Sequence, residues 1–408
     1  MQQQTVVIMT HLRLWSMGSH KGAPSLFKTV QAYRDADWRT ILISPTPVAT
    51  VHRVLPGVEA IEVQLGAESL ISIRGLSLIA RISQSLIGGF RCYRAAQKQL
   101  RRVDSPYVLY AYEVGTVLPA KLLSQRKRAP LITRFQGTIL APIPGTLKER
   151  IRRYPHFNAL STTSDLVIMT DDGTQGDRVL DRLRNTSPRV FWRNGVDRPT
   201  AGKEEHAPRD LISSLNISSD EIVLMTISRL VRWKRVDRAI QATASLVSSG
   251  KNVSLVIVGD GPERAALEDL AEQKGIADRV HFAGSVAHGE VGSYLAGADI
   301  FLSLYDLSNL GNPLFEAMIA GKPIVTLDVG DTGRVIKDGR NGILIENIDG
   351  SEIPRIAEAI GELIQDPHRA RTLGDGARSF AETNFWTWNE RLEEEVRTVS
   401  ELLHRRAQ

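Results

Sequence analysis

IVLMTISRLVRWKRVD (Ile222–Asp237) is the stretch whose reading decides the fold. Ile222–Ile227 is an unbroken apolar run of the length expected for a strand buried on both faces. Ser228–Asp237 follows it and carries Arg229 and Lys234, two cations five residues apart. In open parallel sheets, ligands with phosphate groups bind beyond the strand ends, where the strand order reverses. Arginine offers phosphate oxygens a planar fork and lysine a compact charge, so the pair suits a diphosphate. The plainer reading is two solvated loop cations in a chain that holds 51 Lys and Arg.

The strand pattern repeats outward from this point. Downstream lie SLVIVG (Ser254–Gly259), VHFAG (Val280–Gly284), DIFLSL (Asp299–Leu304) and PIVTL (Pro323–Leu327). Upstream lie TVVIM (Thr5–Met9), TILIS (Thr40–Ser44), YVLYA (Tyr107–Ala111), LITRF (Leu131–Phe135) and DLVIM (Asp165–Met169). Helical patterns such as Ser25–Ala36 separate them, and Pro262 and Gly275 bracket another helix. Alternation of this kind predicts an α/β chain with two Rossmann-like, doubly wound domains. The expected domains are residues 1–200, joined by a C-terminal amphipathic helix over 386–408, and residues 201–385. The expected linker is Arg198–Asp210, rich in Pro, Gly and charge.

A chain of 408 residues is long enough for two or three domains. Its one cysteine, Cys92, excludes an internal disulfide framework and fits a reducing compartment. The N-terminus lacks a basic region followed by a long apolar run, so no signal peptide is expected. No stretch reaches the ~18 apolar residues of a membrane span. Cytoplasmic placement follows as an expectation, and the sequons at Asn185, Asn216 and Asn252 then carry no glycan. Charge is lopsided. Residues 1–200 hold 28 Lys and Arg against 14 Asp and Glu, a net of +14, and residues 201–408 hold 23 against 32, a net of −9. The basic half fits a phosphorylated acceptor, an anionic membrane or nucleic acid. Within it, Ser69–Arg102 mixes apolar and basic residues as an interfacial helix does, or as a core-facing helix with a solvated face does.

A second motif is SNLGNPLFEAMIAGKP (Ser308–Pro323). Asn312 is read as a helix cap and Pro313 as its first position, with Glu316 in the first turn. The loop Asn309-Leu310-Gly311-Asn312 thus leads into a helix N-terminus, a ready anion site. Glu316 is either a dipole-stabilising carboxylate or an acceptor for ribose or sugar hydroxyls. Arg229, Lys234 and Glu316 together suit a nucleotide-sugar. GDGP (Gly259–Pro262) reads as an architectural turn. Gly22, in HKGAPS after the first strand, would let the backbone approach a ligand closely or simply make a turn. No metal-ligand spacing of Cys or His occurs, and Asp171-Asp172 lacks a spaced third group, so no essential metal or other cofactor is expected.

These motifs, in this order, resemble family 4 of the retaining glycosyltransferases, whose GT-B fold sets two Rossmann-like domains facing each other across a cleft. SRLVRWKRVDRAI resembles the family's Arg-x4-Lys donor-diphosphate motif, which implies Arg229 and Lys234. VGDGPERAALEDLA and VHFAGSVAHGEVGSYLAGADIFLSL resemble its next blocks, which implies Val286 at the donor. NPLFEAMIAGKPIV resembles the end of its Glu-x7-Glu motif, which implies Glu316, with Asp306, Ser308, Asn309, Leu310, Gly311 and Asn312 around the donor. RNGVD (Arg193–Asp197) resembles its interdomain marker and KDGRNGILIE its last sheet motif. Three positions depart from the family. Ser308 stands where the first glutamate falls, with Asp306 two residues earlier as a substitute; Gln136 replaces the histidine that meets the sugar; Arg334 replaces an acid. The resemblance implies a metal-independent hexosyltransferase using a nucleotide-sugar, with catalytic Arg229, Lys234, Glu316 and Gln136. Its acceptor would be a glycan or a lipid-linked precursor of bacterial envelope or exopolysaccharide. Peripheral contact with an anionic membrane is expected, and nucleic acid is not. The alternatives are a nucleotide-sugar epimerase of the same architecture and a non-enzymatic module that binds anionic lipid or nucleic acid.

Overall fold

The computed structural model describes residues 3–14, 25–66, 77–197, 215–348 and 351–407. The chain forms two compact units. The first comprises Met1–Asp171, Gln175–Asn194 and Trp388–Gln408; the second comprises Asp172–Thr174 and Gly195–Thr387. The chain thus leaves the first unit at Asn194, inside RNGVD, a few residues before the stretch expected as a linker. That stretch, 198–210, lies outside the described residues, as do Gly22 and the first residues of Ser69–Arg102.

The first unit is built on seven strands: β1 (Thr5–Thr10), β2 (Arg39–Ser44), β3 (Glu59–Glu62), β4 (Tyr107–Tyr112), β5 (Leu131–Phe135), β6 (Leu166–Thr170) and β7 (Arg189–Trp192). They pair in parallel in the order β3-β2-β1-β4-β5-β6-β7. Central strands such as β1, with six consecutive buried residues, are apolar between their terminal threonines because helices cover both faces. One face is covered by α1 (Ser25–Asp35) and α2 (Val48–Val54), and the other by α3 (Ser77–Gln99), α4 (Val117–Lys127), α6 (Tyr154–Ser161) and α7 (Gly176–Arg182). A short helix, α5 (Leu147–Arg152), has no buried residue. The strand order reverses between β1 and β4, so the ends of those strands and of β5 form the binding edge.

The second unit repeats the plan with six strands: β8 (Ile222–Ile227), β9 (Val253–Val258), β10 (Val280–Gly284), β11 (Ile300–Ser303), β12 (Ile324–Asp328) and β13 (Ile343–Glu346). Their order is β10-β9-β8-β11-β12-β13, all parallel. The helices are α8 (Val236–Ser248), α9 (Arg264–Gln273), α10 (Val291–Ala296), α11 (Asn312–Ile319), α12 (Thr332–Val335), α13 (Glu352–Gln365) and α14 (Pro367–Asn384). The order reverses between β8 and β11.

The last helix, α15 (Trp388–Ala407), belongs to the first unit. Its Val399 and Leu403 are buried in the core beside α1 and β4. Arg391 and Glu395, each 1% exposed, form an ion pair at 2.8 Å. The Tyr110 hydroxyl donates to Glu395, and the Arg391 guanidinium lies 4.5 Å from the Trp192 ring centroid. Burial holds the Arg391 pKa below its usual value, although Glu395 raises it.

Candidate active site

The switch point of the second unit brings the two sequence motifs together. β8 and β11 are neighbours, so the loops that leave them emerge side by side. The β8 loop holds Arg229, exposed, and then a single 3₁₀ turn over Arg232–Lys234. It is laid directly on the GDGP turn: the Leu230 amide donates to the Asp260 carbonyl at 3.0 Å, and the Glu263 amide to the Leu230 carbonyl at 3.1 Å. A Cβ at Gly259 or Gly261 would collide with the carbonyl oxygen of Ser228 or Leu230. That backbone contact is why the turn needs glycine, so its role is to seat the cation loop.

Lys234 is half-buried. Burial pushes its pKa down to about 7, with the Asp172 carboxylate raising it and the Arg229 guanidinium lowering it. Asp172 belongs to this unit. Asp171 belongs to the other, where it pairs with Arg193 at 3.3 Å.

The β11 loop is more committed to the fold than its sequence implied. Asn309 is fully buried; its Oδ1 accepts from Ser303 at 2.9 Å and from the Tyr305 amide at 3.0 Å, and its Nδ2 donates to the Leu327 carbonyl at 3.0 Å. The Ser308 hydroxyl donates to the Asp172 carbonyl. Leu310 is buried in the core, and Val286 packs partly against the same cluster. Asp306 forms ion pairs with Arg235 at 3.2 Å and with buried Arg238 at 2.8 Å. Its carboxylate is therefore directed at those guanidinium groups, and substitution for the glutamate missing at 308 is not the use this geometry makes of it. Arg334 pairs with Asp331 at 3.4 Å.

Helix α11 starts at Asn312 with Gly311 as its cap, one residue before the expected start. Glu316 therefore opens the second turn rather than lying in the first, which weakens the dipole account of it. His288, after β10, lies beside it: Nδ1 is 3.8 Å from Glu316 Oε1, and Nε2 is 2.8 Å from Asp197 Oδ2. An imidazole set between two carboxylates was not read from the sequence, because the three residues are distant in the chain.

Gln136 belongs to the first unit, immediately after β5. Its amide nitrogen Nε2 donates to the Tyr112 hydroxyl at 3.0 Å, which donates in turn to Ser25 at 3.0 Å. The Gln136 backbone N–H donates to the Glu113 carboxylate at 2.7 Å. Burial pushes the Tyr112 phenol up to about 12, so this hydroxyl is a fixed neutral anchor. His11, which follows β1, was also missed. Burial pushes its pKa down to about 4, against a raising hydrogen bond at the Gly88 backbone, and its buried Nε2 has no hydrogen-bond partner among the described residues.

A model of the family Glycosyl transferases group 1 matches residues 209–380. A GDP-mannose-dependent alpha-(1-6)-phosphatidylinositol monomannoside mannosyltransferase of Mycobacterium tuberculosis is 32% identical over 306 residues, covering 71% of this chain and 76% of that protein. This chain is a group 1 glycosyltransferase. The alpha-D-kanosaminyltransferase of Streptomyces kanamyceticus is 29% identical over 261 residues, 63% of this chain and 67% of that one. Among solved structures, sucrose-phosphate synthase from Thermosynechococcus elongatus superposes with a TM-score of 0.78 at 18% identity, covering 99% of this chain and 100% of that one. The glycosyltransferase therefore has the GT-B fold, with two Rossmann-like units. In this glycosyltransferase Arg229, Lys234 and the loop leading to Glu316 share one unit, and Gln136 lies in the other.

Proposed function

We propose that this glycosyltransferase is a retaining enzyme of family 4 that moves a hexose-type sugar from a nucleoside diphosphate to a glycan or lipid-linked acceptor. The observation that carries the reading is the placement of Arg229 and Lys234 beyond β8, beside the loop that runs to Glu316. In the step proposed, the acceptor oxygen attacks the anomeric carbon on the face the diphosphate leaves. The new C–O bond forms as the old one breaks, and the acceptor proton passes to a diphosphate oxygen. No protein nucleophile is required. Arg229 and Lys234 stabilise charge developing on the diphosphate, Glu316 positions ribose or sugar hydroxyls, and Gln136 orients the sugar. Hydrolysis of a panel of UDP-, GDP- and ADP-sugars in the absence of acceptor tests this; no turnover of any of them, with and without candidate acceptors, defeats it.

Metal independence follows from the same reading, because protein cations take the place of a metal at the leaving group. Activity is expected to survive EDTA, and loss restored by Mg²⁺ or Mn²⁺ contradicts the expectation.

On this reading the acceptor is met at the cytoplasmic face of an anionic membrane. The Mycobacterium tuberculosis relative is named for a phosphatidylinositol mannoside, and helix α3 supports the same placement. Its inner face packs Cys92 and Ala96 into the core, and Leu100, in the 3₁₀ turn Leu100–Arg102 that follows, joins them. Its outer face exposes Leu86, Ile87 and Phe90, followed by exposed Arg91, Arg94 and Lys98, with exposed Arg101 and Arg102 in the turn after it. Among the described residues no helix is long and apolar enough to cross a membrane. Each cation near an anionic surface contributes about 1 kcal/mol. Neutralising Arg94, Lys98, Arg101 and Arg102 is expected to weaken sedimentation with phosphatidylglycerol vesicles by at least about tenfold, and salt is expected to do the same. A wild type that ignores such vesicles at low salt removes the membrane from the proposal and leaves the transferase.

A further inference from the structure

Two aromatic residues meet the Lys234 side chain: Trp233, one of the unspecified positions of the Arg-x4-Lys spacing, and Tyr305, just beyond β11. The Lys234 Nζ lies 3.6 Å from the Tyr305 ring centroid and 4.2 Å from that of Trp233. Both distances fall within the ~6 Å reach of a cation–π contact. The rings stand edge to face, 6.1 Å apart at 80°, so the ammonium sits in a corner lined by two π-systems. The corner is fixed from behind. Tyr305 is 1% exposed, and its hydroxyl donates to the Ile227 carbonyl at 3.0 Å, at the end of β8. The Trp233 carbonyl accepts from the Asp306 amide at 3.0 Å, and the Asp306 carboxylate is clamped by Arg235 and Arg238. Arg235 and Arg238 each have a carboxylate at ion-pair distance, whereas among the described residues Lys234 has ring faces at that range and feels the Asp172 carboxylate only from farther off.

We propose that Trp233 and Tyr305 are positioning residues for donor capture: they hold the Lys234 ammonium on two aromatic faces in place of a carboxylate, so that the incoming diphosphate becomes its ion-pair partner. The proposal rests on the reading of Lys234 as a diphosphate-binding cation. A carboxylate in this position would orient the lysine equally well, but the donor would have to displace it. Ring faces orient the ammonium without occupying the ion-pair position that a diphosphate oxygen would take.

A proton is coupled to this arrangement. The charged groups that act on Lys234 are Asp172 and Arg229, and burial outweighs both, pushing the ammonium down to about 7. Tyr305 stays neutral, because burial pushes its phenol up to about 12. A bound diphosphate favours the charged lysine and raises its pKa, so donor binding takes up a proton above neutrality. Below about pH 7 donor affinity is then flat, and above it affinity falls by up to about tenfold per pH unit.

The test is calorimetric titration of the full chain with UDP-glucose, GDP-mannose and ADP-glucose, continued with the tightest, in two buffers of different ionisation enthalpy from about pH 6 to about pH 9. Trp233→Leu and Tyr305→Leu keep an apolar group and remove a ring face. Each is expected to weaken donor binding about five- to tenfold near neutrality, to raise donor KM more than it lowers kcat, and to move the pH midpoint of affinity to lower pH, since the cation has lost its attraction to the ring. Trp233→Phe and Tyr305→Phe are expected to restore the wild-type profile. Trp233 is 41% exposed, so its variants remain informative if those of buried Tyr305 do not fold. Unchanged affinity, midpoint and proton uptake in folded Trp233→Leu overturns the proposal. Lys234→Met separates the two levels. If it binds donor as wild type does, the diphosphate reading fails; if it loses affinity and proton uptake while the leucine variants behave as wild type, only the aromatic role fails.

Discussion

Replacing Arg229 and Lys234 together with alanine is expected to lower sugar transfer by at least about a hundredfold while leaving the fold intact. A charge-assisted hydrogen bond is worth roughly 1.5–3 kcal/mol, and each 1.36 kcal/mol is about tenfold in rate, so two lost contacts reach that figure even with incomplete additivity. Arg229 is exposed, so its loss leaves no hole in the core. Removing Lys234 relieves a dehydrated cation rather than creating one, so stability is not expected to fall. The measurement is kcat/KM for the best donor beside a thermal melt of each variant. Turnover within about threefold of wild type in the double variant sinks the assignment of the diphosphate site.

The second large effect is on stability. Glu395→Ala is expected to cost about 3–5 kcal/mol, because it strands the Arg391 guanidinium without its counter-charge in a site 1% exposed. The strain is aggravated because Arg391 Nε and Nη1 find no hydrogen-bond acceptor among the described residues. The double replacement Arg391→Met, Glu395→Leu removes both charges and keeps the volume, so it is expected to recover most of the loss. Urea denaturation followed by circular dichroism reads both, with attention to the transition of the first unit, since a chain of two units need not unfold in one step. A Glu395→Ala variant as stable as wild type shows that α15 is held by its apolar side alone.

What the sequence made legible follows burial. The bounds of β5 and β8, central strands, are legible to the residue because such strands are buried on both faces and mostly apolar; those of β10, an edge strand, are legible because Gly284 closes its short run. β3 and β7 were not read. They are edge strands, and Glu59, Glu62 and Arg189 break their pattern, as charges on edges usually do. In the site, Arg229, Lys234 and Glu316 were legible because their spacing is local and ordered. The Trp233–Tyr305 corner, the Asp306–Arg238 clamp and the Asp197–His288–Glu316 cluster were not. Each joins residues from different elements, and only the packing of those elements around the sheet makes them neighbours. Asp306 shows the cost of reading charge without geometry: an acid two residues from a vacant motif position looked like a substitute, and it is the anchor of two arginines.

The path of α15 has a consequence for how the protein is made. The unit that begins at the N-terminus is finished by residues translated after the whole of the other unit. On the ribosome the first unit therefore waits, with the apolar sites for Val399 and Leu403 and the ring face of Trp192 uncovered, while Gly195–Thr387 emerges and folds. The half that starts first is the half completed last, and it is the half a chaperone would guard during synthesis. A stop codon just before Trp388 would spare every residue of the second unit and still damage the first.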